Sequence, residues 1–129
     1  MASGGVQRLR RRADYLRVQA AERRIALPGL LLQAAPGEVG CCRVGFTASR
    51  KVGNAVTRNR ARRRLKALAS EILPGHAISG HDFVLVARQG TPLRDYAALR
   101  RDLEAAFKKL KLWQAPAGTP PDASASGAA

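Results

Sequence analysis

The amino-acid sequence predicts a single small α+β domain, in which helices pack against one central sheet. Its 129 residues are enough for one domain of ordinary size. Segments with helical periodicity alternate with short apolar runs typical of strands, and Pro-Gly pairs separate several of them. With two or three strands between the first two helices, the predicted order of elements is αβββαβα, a sandwich with one sheet.

The predicted domain spans residues 8–113. Residues 1–7 are predicted to be a flexible tip, and residues 114–129 a disordered tail, because Ala, Pro, Ser and Gly dominate the tail and leave little to bury. The basic start leads into no apolar segment of the signal-peptide kind, and no apolar run approaches the ~20 residues of a membrane helix. A cytoplasmic protein without membrane contact is therefore expected.

The first predicted element is a helix over residues 8–22, with an apolar face formed by Leu9, Ala13, Leu16 and Ala20. Arg8, Arg11 and Tyr15 share a different face. Two strands follow, over residues 30–36 and 41–49, and the short separation between them favours a β-hairpin. Adjacent cysteines rarely reach disulfide geometry, so Cys41 and Cys42 are predicted to be small buried residues of a strand in a reducing compartment.

The second half of the chain begins with a loop over residues 51–56 and a helix over residues 57–73, with Thr57 as the predicted N-cap. The predicted buried face of this helix consists of Ala61, Leu65, Leu68, Ala69 and Ile72. The segment DFVLVAR, residues 82–88, is almost continuously apolar, which is typical of a covered central strand. A last helix over residues 94–112 has a predicted buried face of Leu99, Leu103, Ala106, Leu110 and Trp113.

The charge of the chain is strongly positive and clustered. Lys and Arg total 23 against 9 Asp and Glu, which gives a formal net charge of +14. Eight basic residues and no acid lie between Arg50 and Lys66. Solvated helix faces usually intersperse acids with bases, so an array without acids indicates a polyanion partner, most commonly a nucleic acid.

The sequence lacks the groupings that a protein active site needs. Its acids are scattered, and His76 and His81 stand near a strand without a companion Cys or acid pair, which is typical of solvated loop histidines. No Gly-rich phosphate loop or nucleophile elbow is present. The polypeptide by itself is therefore predicted to be non-catalytic.

Tyr15 is the second candidate for nucleic-acid contact. An aromatic ring among arginines can stack on an unpaired base, a contact of ~1–3 kcal/mol. The alternative is a tyrosine half-buried at the helix edge with its hydroxyl in water. Phe46 alternates with Cys42, Val44 and Ala48 and is predicted to be a core residue rather than a stacking platform.

The segment RVGFTASRKVGNAVTRNRARRRLKALASEI resembles the bacterial ribonuclease P protein component. The match is carried by Val52-x-x-Ala55-x-x-Arg58-Asn59-Arg60, followed by Arg63, Leu65 and Lys66. It extends to RLRRRADYL and GHDFVLVAR, so it covers most of residues 8–112 in the family's order. The family fold also implies a left-handed βαβ crossover through the arginine-rich helix, against the general rule.

This resemblance implies that the chain joins a large catalytic RNA in the enzyme that removes the 5′ leader from precursor tRNA. The partners would be the RNA subunit and precursor tRNA, with no obligate protein partner. The RNA subunit would hold the Mg²⁺ ions, and the protein would bind no cofactor itself.

Two surfaces are implied by the resemblance. The surface for the catalytic RNA comprises Arg50, Lys51, Asn54, Arg58, Asn59, Arg60, Arg62, Arg63, Arg64 and Lys66. A cleft for the single-stranded leader, between the first helix and the sheet, comprises Arg8, Arg11, Arg12, Tyr15 and Gln33. Ala61 replaces a larger aliphatic of the family, and Gln19 and Gln33 replace common aromatics. Leader contacts are thus expected to depend more on hydrogen bonds and charge than on stacking.

Two other functions share part of this pattern. A structural RNA-binding module, such as a ribosomal protein, would have the basic helix but would need no leader cleft. A stand-alone nuclease would need a carboxylate cluster, which the sequence does not contain.

Overall fold

The fold is described by a computed structural model, which covers residues 6–21, 23–74 and 80–113. The predicted tail, most of the predicted tip and His76 lie outside these residues. The elements in chain order are β1 (Gln7–Arg8), α1 (Arg12–Ala20), β2 (Arg23–Leu27), β3 (Leu30–Pro36), β4 (Cys42–Thr47), a 3-10 helix (Arg50–Val52), α2 (Ala55–Ile72), β5 (His81–Ala87) and α3 (Tyr96–Lys109). The predicted αβββαβα arrangement is confirmed, with the short strand β1 added before it.

One five-stranded sheet has the order β1-β4-β5-β3-β2. β5 lies at its centre, as its apolar sequence predicts, with β4 parallel on one side and β3 antiparallel on the other. The helix α2 connects the adjacent parallel strands β4 and β5, so these three elements form a βαβ unit. The left-handed crossover of this unit stays a prediction from the family resemblance.

The two faces of the sheet carry separate cores. Alternate side chains of the strands, including Leu32, Phe46 and Leu85, pack against α2 and α3, and we name this side the two-helix face. On this side the rings of Phe83 and Phe107 lie 4.8 Å apart between centroids. The opposite side, named the one-helix face, carries α1 and a smaller buried cluster of Leu9, Val18, Ala35 and Val84.

The predicted hairpin between the strands at residues 30–36 and 41–49 is wrong. β5 separates β3 from β4, and the actual hairpin joins β2 to β3 through Pro28 and Gly29. β2 did not stand out in the sequence because it is an edge strand with two exposed arginines, Arg23 and Arg24, in place of an apolar run.

The predicted apolar face of the first helix is also wrong. α1 has nine residues and starts at Arg12, and its buried residue is Val18, with Tyr15 partly buried beside it. Leu16 is 48% exposed. Leu9 is buried but precedes the helix, directly after β1. The predicted apolar face starts from Leu9, which is not part of the helix. The helical period counted from Leu9 therefore selects a different face from the one that packs on the sheet.

The other helices follow their sequence patterns closely. All five residues predicted to form the buried face of α2 are buried. Its N-cap is Asn54 rather than Thr57, because the Asn54 side chain accepts a 2.9 Å hydrogen bond from the Thr57 amide. In α3, Leu99, Leu103 and Ala106 are buried as predicted. Leu110 and Trp113 follow the end of the helix and are partly buried.

The predictions for single residues are confirmed in part. Cys42 is buried and Cys41 partly exposed, and both are free thiols. Phe46 is a core residue, as predicted. His81 is not a solvated loop residue, because it begins β5 and its ring stacks 6.0 Å from that of Phe83.

Candidate nucleic-acid interface

The buried stripe of α2 fixes which side chains of this helix face solvent. Because Ala61, Leu65 and Leu68 face the sheet, the basic residues are directed to the flanks and the outer side. Arg60 and Arg63 are exposed. In the part of the chain that the structure describes, neither forms a side-chain hydrogen bond or an ion pair, so their donors are available to a ligand.

The arginines at the flanks of α2 are anchored to the protein's own oxygens. Arg58 donates to the Gly53 carbonyl at 3.1 Å, and Arg64 donates to the Thr91 carbonyl at 2.8 Å. Arg62 donates to the side-chain oxygen of Asn59. These bonds orient the guanidinium groups but leave their charge unneutralised, since each acceptor is a neutral oxygen.

The one acid of α2 lies at its far end and is bound by α3. The Glu71 carboxylate accepts a 2.9 Å hydrogen bond from the Tyr96 hydroxyl and a 2.5 Å ion pair from Arg100. Among the described residues, no carboxylate pairs with a basic residue of the 50–66 segment. The array is therefore a fixed, uncompensated cationic surface, as its composition predicts.

A cavity of about 370 Å³ opens between α1 and the sheet on the one-helix face. It is lined by Arg10, Arg12, Tyr15, Leu16, Gln19 and Thr47. We name this cavity the α1 cleft. It combines two cations, one aromatic edge, one amide and an exposed leucine, a mixture that suits both the bases and the phosphates of a single strand.

Tyr15 is a fixed wall of the α1 cleft. Its hydroxyl donates to the Leu9 carbonyl and accepts from the Phe46 amide, both at 3.3 Å. Its ring covers Gly45 so closely that a Cβ there would lie 2.5 Å from the ring. The ring is half-buried, as the alternative expected, but the backbone on both sides binds its hydroxyl. Stacking of the ring on a base stays a prediction.

The structure brings together only part of the predicted leader-binding set. Arg12 and Tyr15 line the α1 cleft, whereas Arg11, exposed, is the N-cap residue of α1. Arg8 lies opposite Val44 in the β1–β4 register, and its guanidinium sits 5.6 Å from the Phe46 ring centroid. Since Val44 and Phe46 point to the two-helix face, Arg8 lies on the other side of the sheet from Tyr15.

Gln33 lies on the same sheet face as the α1 cleft but deeper. It stands opposite Arg24 on β2 and Val84 on β5, and Val84 stands opposite Gly45 under the Tyr15 ring. Gln33 is 5% exposed, and its side-chain oxygen has no hydrogen-bond partner in the described part of the chain. An unpaired buried acceptor is uncommon in folded proteins.

Three residues of the α1 cleft were missed by sequence reasoning. Arg10 belongs to the same basic run as Arg11 and Arg12, and the sequence offered no means of choosing among them. The sequence pattern places Leu16 in the predicted apolar face of the first helix. In the structure α1 packs on the sheet through Val18 and Tyr15, which leaves Leu16 exposed. Thr47 comes from a strand distant in sequence, so only the fold places it there.

The described residues contain no group of three or more His, Cys, Asp or Glu side chains that could hold a metal ion. Within the same residues, no helix has both the length and the apolar character required to span a bilayer. A small α+β domain with an uncompensated arginine helix on one face of its sheet and a basic cleft on the other is typical of RNA-binding proteins.

The comparisons with known sequences identify the family within that class. A sequence model of the ribonuclease P family matches residues 5–111. The ribonuclease P protein component of Paramagnetospirillum magneticum is 49% identical over 110 residues, which cover 81% of this chain and 83% of the relative. That of Gluconacetobacter diazotrophicus is 43% identical over 103 residues, with 79% and 89% coverage. The chain belongs to the ribonuclease P protein family, and its role is that of a subunit of ribonuclease P.

Solved structures show the same fold at lower identity. The ribonuclease P protein of Staphylococcus aureus superimposes with a TM-score of 0.70 at 24% identity, covering 89% of this chain and 97% of that chain. The protein of Thermotoga maritima gives a TM-score of 0.66 at 22% identity, with 77% and 93% coverage.

Proposed function

We propose that this chain binds the catalytic RNA subunit of ribonuclease P through α2 and the 5′ leader of precursor tRNA through the α1 cleft. The observation that carries the proposal is the uncompensated array on α2. Arg60 and Arg63 are exposed and unpaired within the described residues, and Arg58, Arg62 and Arg64 are oriented by neutral acceptors. Several guanidinium groups on one rigid helix suit several phosphates of a folded RNA.

The α1 cleft suits a single strand rather than a duplex. Its volume of about 370 Å³ is of the size of individual nucleotides, and the edge of the Tyr15 ring lines it. Arg10 and Arg12 supply positive charge for the phosphates. The leader is present in precursor tRNA and absent from mature tRNA. A protein that grips it therefore favours substrate over product by differential binding.

The scissile chemistry belongs to the RNA subunit in this proposal, with Mg²⁺ held there. The scatter of the described acids supports this, because no three or more His, Cys, Asp or Glu side chains among the described residues are grouped so that they could hold a metal ion. Asp14, Glu71, Asp82, Asp102 and Glu104 form ion pairs with Lys or Arg, Asp95 caps α3, and Glu38 accepts from Cys41. The protein would act in the cytoplasm, where precursor tRNA is made.

Reconstitution tests this function. The purified chain alone is expected to leave precursor tRNA intact, and adding the cognate RNA subunit should give 5′ cleavage at a lower Mg²⁺ concentration than the RNA needs by itself. The physical reason is that cationic side chains replace part of the Mg²⁺ that screens phosphate repulsion. If the chain had no effect on an active RNA subunit at any Mg²⁺ concentration, the proposal would be wrong.

A structural role in another ribonucleoprotein would give a different crosslinking result when precursor tRNA and ribosomal RNA are both supplied to the chain. Ultraviolet crosslinking from the Tyr15 side chain should yield adducts on the leader of precursor tRNA. Adducts confined to ribosomal RNA would favour the structural RNA-binding module instead, and cleavage by the protein without RNA would indicate a nuclease.

A further inference from the structure

The helix that forms one wall of the α1 cleft is weakly held by apolar packing. α1 has nine residues, Val18 is its one fully buried side chain, and its N-cap residue Arg11 makes no side-chain capping bond. So short a helix is marginal without tertiary contacts. Something beyond apolar burial must therefore fix its position on the sheet. The Tyr15 hydroxyl supplies part of that attachment through its two backbone hydrogen bonds.

A buried carboxylate on the central strand supplies the rest of that attachment. Asp82 of β5 is 0% exposed and accepts hydrogen bonds from Arg43 Nε at 2.9 Å and from Arg43 Nη2 at 2.7 Å. Arg17 of α1 donates through Nη2 to the same carboxylate and through Nη1 to the Pro36 carbonyl at 2.7 Å. Asp14 completes the network, 3.6 Å from Arg17 and 3.5 Å from Arg43. We name these residues the Asp82 clamp.

The two arginine partners of Asp82 favour the charged form of its carboxyl group. Burial alone would raise the pKa of its carboxyl group, but the hydrogen bonds from Arg43 and Arg17 outweigh burial and lower the pKa below its ordinary value. Gly37 closes the site, because a Cβ there would lie 2.7 Å from the carboxylate oxygen.

The Asp82 clamp and the α1 cleft lie on opposite flanks of α1. With 100° between successive residues, Asp14 and Arg17 project to one side, Tyr15 and Val18 face the sheet, and Leu16 and Gln19 project to the other side. The first pair belongs to the clamp and the last pair lines the cleft. A rotation or shift of α1 about the clamp would move the cleft wall directly.

We propose that Asp82 is a positioning residue for leader recognition: through Arg17 it fixes α1 on the sheet and so sets the width of the α1 cleft. This inference rests on the proposed function of that cleft. Asp82 itself touches no RNA, because it is fully buried. Its contribution to specificity is expected to pass through the placement of Tyr15, Leu16 and Gln19.

The test measures the affinities of the reconstituted holoenzyme for precursor and mature tRNA. Asp82→Asn keeps the shape of the side chain but removes the charge that holds Arg17 and Arg43. The ratio of the two affinities should fall by about fivefold or more, the lower end of coupling between two sites in a protein. Affinity for the RNA subunit through α2 should stay unchanged.

The sign of the change in affinity distinguishes a positioning role of Asp82 from a simple effect of the protein's net charge. Asp82→Asn makes the protein more positive by one charge, so a purely electrostatic effect would tighten binding of every RNA. Tighter binding of precursor tRNA, or an unchanged ratio in a folded variant, would overturn the proposal.

Asp102→Asn is the matched control. Asp102 is also a buried carboxylate, 7% exposed, and it pairs with Arg94 Nε at 2.6 Å, but it belongs to α3 on the two-helix face. Its loss removes the same charge and breaks a comparable ion pair. It should lower the midpoint of thermal unfolding without changing the affinity ratio. If Asp102→Asn lowered the affinity ratio as much as Asp82→Asn does, the Asp82 clamp would act only through the general stability of the fold. That outcome would overturn the proposal.

Arg17→Ala keeps the test decisive if Asp82→Asn does not fold. The Arg17 side chain is 41% exposed, and Asp82 keeps both bonds from Arg43 in its absence. The affinity ratio should again fall. The salt dependence of precursor binding should keep its slope, since a direct phosphate contact by Arg17 would remove about one unit of slope. A lower slope would make Arg17 a ligand and overturn the positioning role.

Tyr15→Ala separates the two proposals. If it leaves the affinity ratio unchanged, the α1 cleft does not bind the leader and the proposed function fails at that point. If Tyr15→Ala lowers the ratio while Asp82→Asn and Arg17→Ala do not, the cleft function stands and the positioning role alone is wrong.

Discussion

Cys41 and Cys42 are neighbours in sequence but differ in environment. Burial raises the pKa of Cys42 to about 11. For Cys41 the hydrogen bond from its thiol to Glu38 is the largest cause of a raised pKa, followed by desolvation. A raised pKa means less thiolate at neutral pH, and the thiolate is the reactive form. Both shifts therefore disfavour reaction of these thiols at neutral pH.

Alkylation of the folded chain tests this at the residue scale. At pH 7 both cysteines should react with iodoacetamide more slowly than in the denatured chain, where thiols have an ordinary pKa of about 8.5. As the pH rises above that value, Cys41 should react first because it is more exposed, and Cys42 should react only on unfolding. Mass spectrometry of the modified peptide would report each site. Equal labelling of Cys42 in folded and denatured protein at pH 7 would contradict its burial.

The helix α2 is the element in which local sequence and tertiary packing agree most completely. Its apolar stripe is buried in full, and its Asn54 cap and the preceding 3-10 helix hold the start of the helix in place. The basic side chains are then presented by a rigid rod rather than a mobile tail. Less backbone conformational entropy is lost on docking than with a disordered basic segment, which must be ordered as it binds.

The salt dependence of RNA-subunit binding tests the role of this element. Arg60→Ala combined with Arg63→Ala should weaken binding and reduce the log–log salt slope by roughly one unit for each lost phosphate contact. Lys108→Ala combined with Lys109→Ala removes the same charge from the last turn of α3 and is the matched control. An unchanged slope in the arginine variant, or an equal reduction in both, would remove Arg60 and Arg63 from the interface.

At the scale of the whole molecule, the net charge of +14 opposes compaction of the free protein. The described acids are all engaged, so the excess cations repel one another across the surface. Salt screens this repulsion more than it weakens the buried ion pairs of Asp82 and Asp102.

The free protein should therefore become more stable as salt is added. The midpoint of thermal unfolding, followed by circular dichroism, is expected to rise between about 0.01 M and 0.15 M salt, where the Debye length falls from about 30 Å to about 8 Å. The variant with both Arg60 and Arg63 replaced by Ala should show a smaller rise, since it carries two fewer charges. A midpoint that fell with salt would indicate that favourable surface pairs outweigh the repulsion.

Long, strongly patterned elements were predictable from the sequence, and short or non-local ones were not. The buried faces of α2 and α3 follow from a 3.6-residue period, which local sequence records directly. The strands that pair with β3 could not be predicted in this way. Strand pairing joins residues that are distant in the chain, and β2 lacks an apolar signature. The candidate site divides in the same way: the array on α2 was predictable, and the lining of the α1 cleft was not.

By itself, the sequence determined the class of fold, the amphipathic arginine helix and the excess of positive charge, since each depends on residue type and local period. Only the tertiary structure decided which side of the sheet each N-terminal residue occupies. Arg8 and Leu9 point to opposite faces because side chains alternate along extended backbone. The structure alone also revealed the Asp82 clamp, because a bond between Arg17 and Asp82 joins residues 65 positions apart and leaves no local pattern.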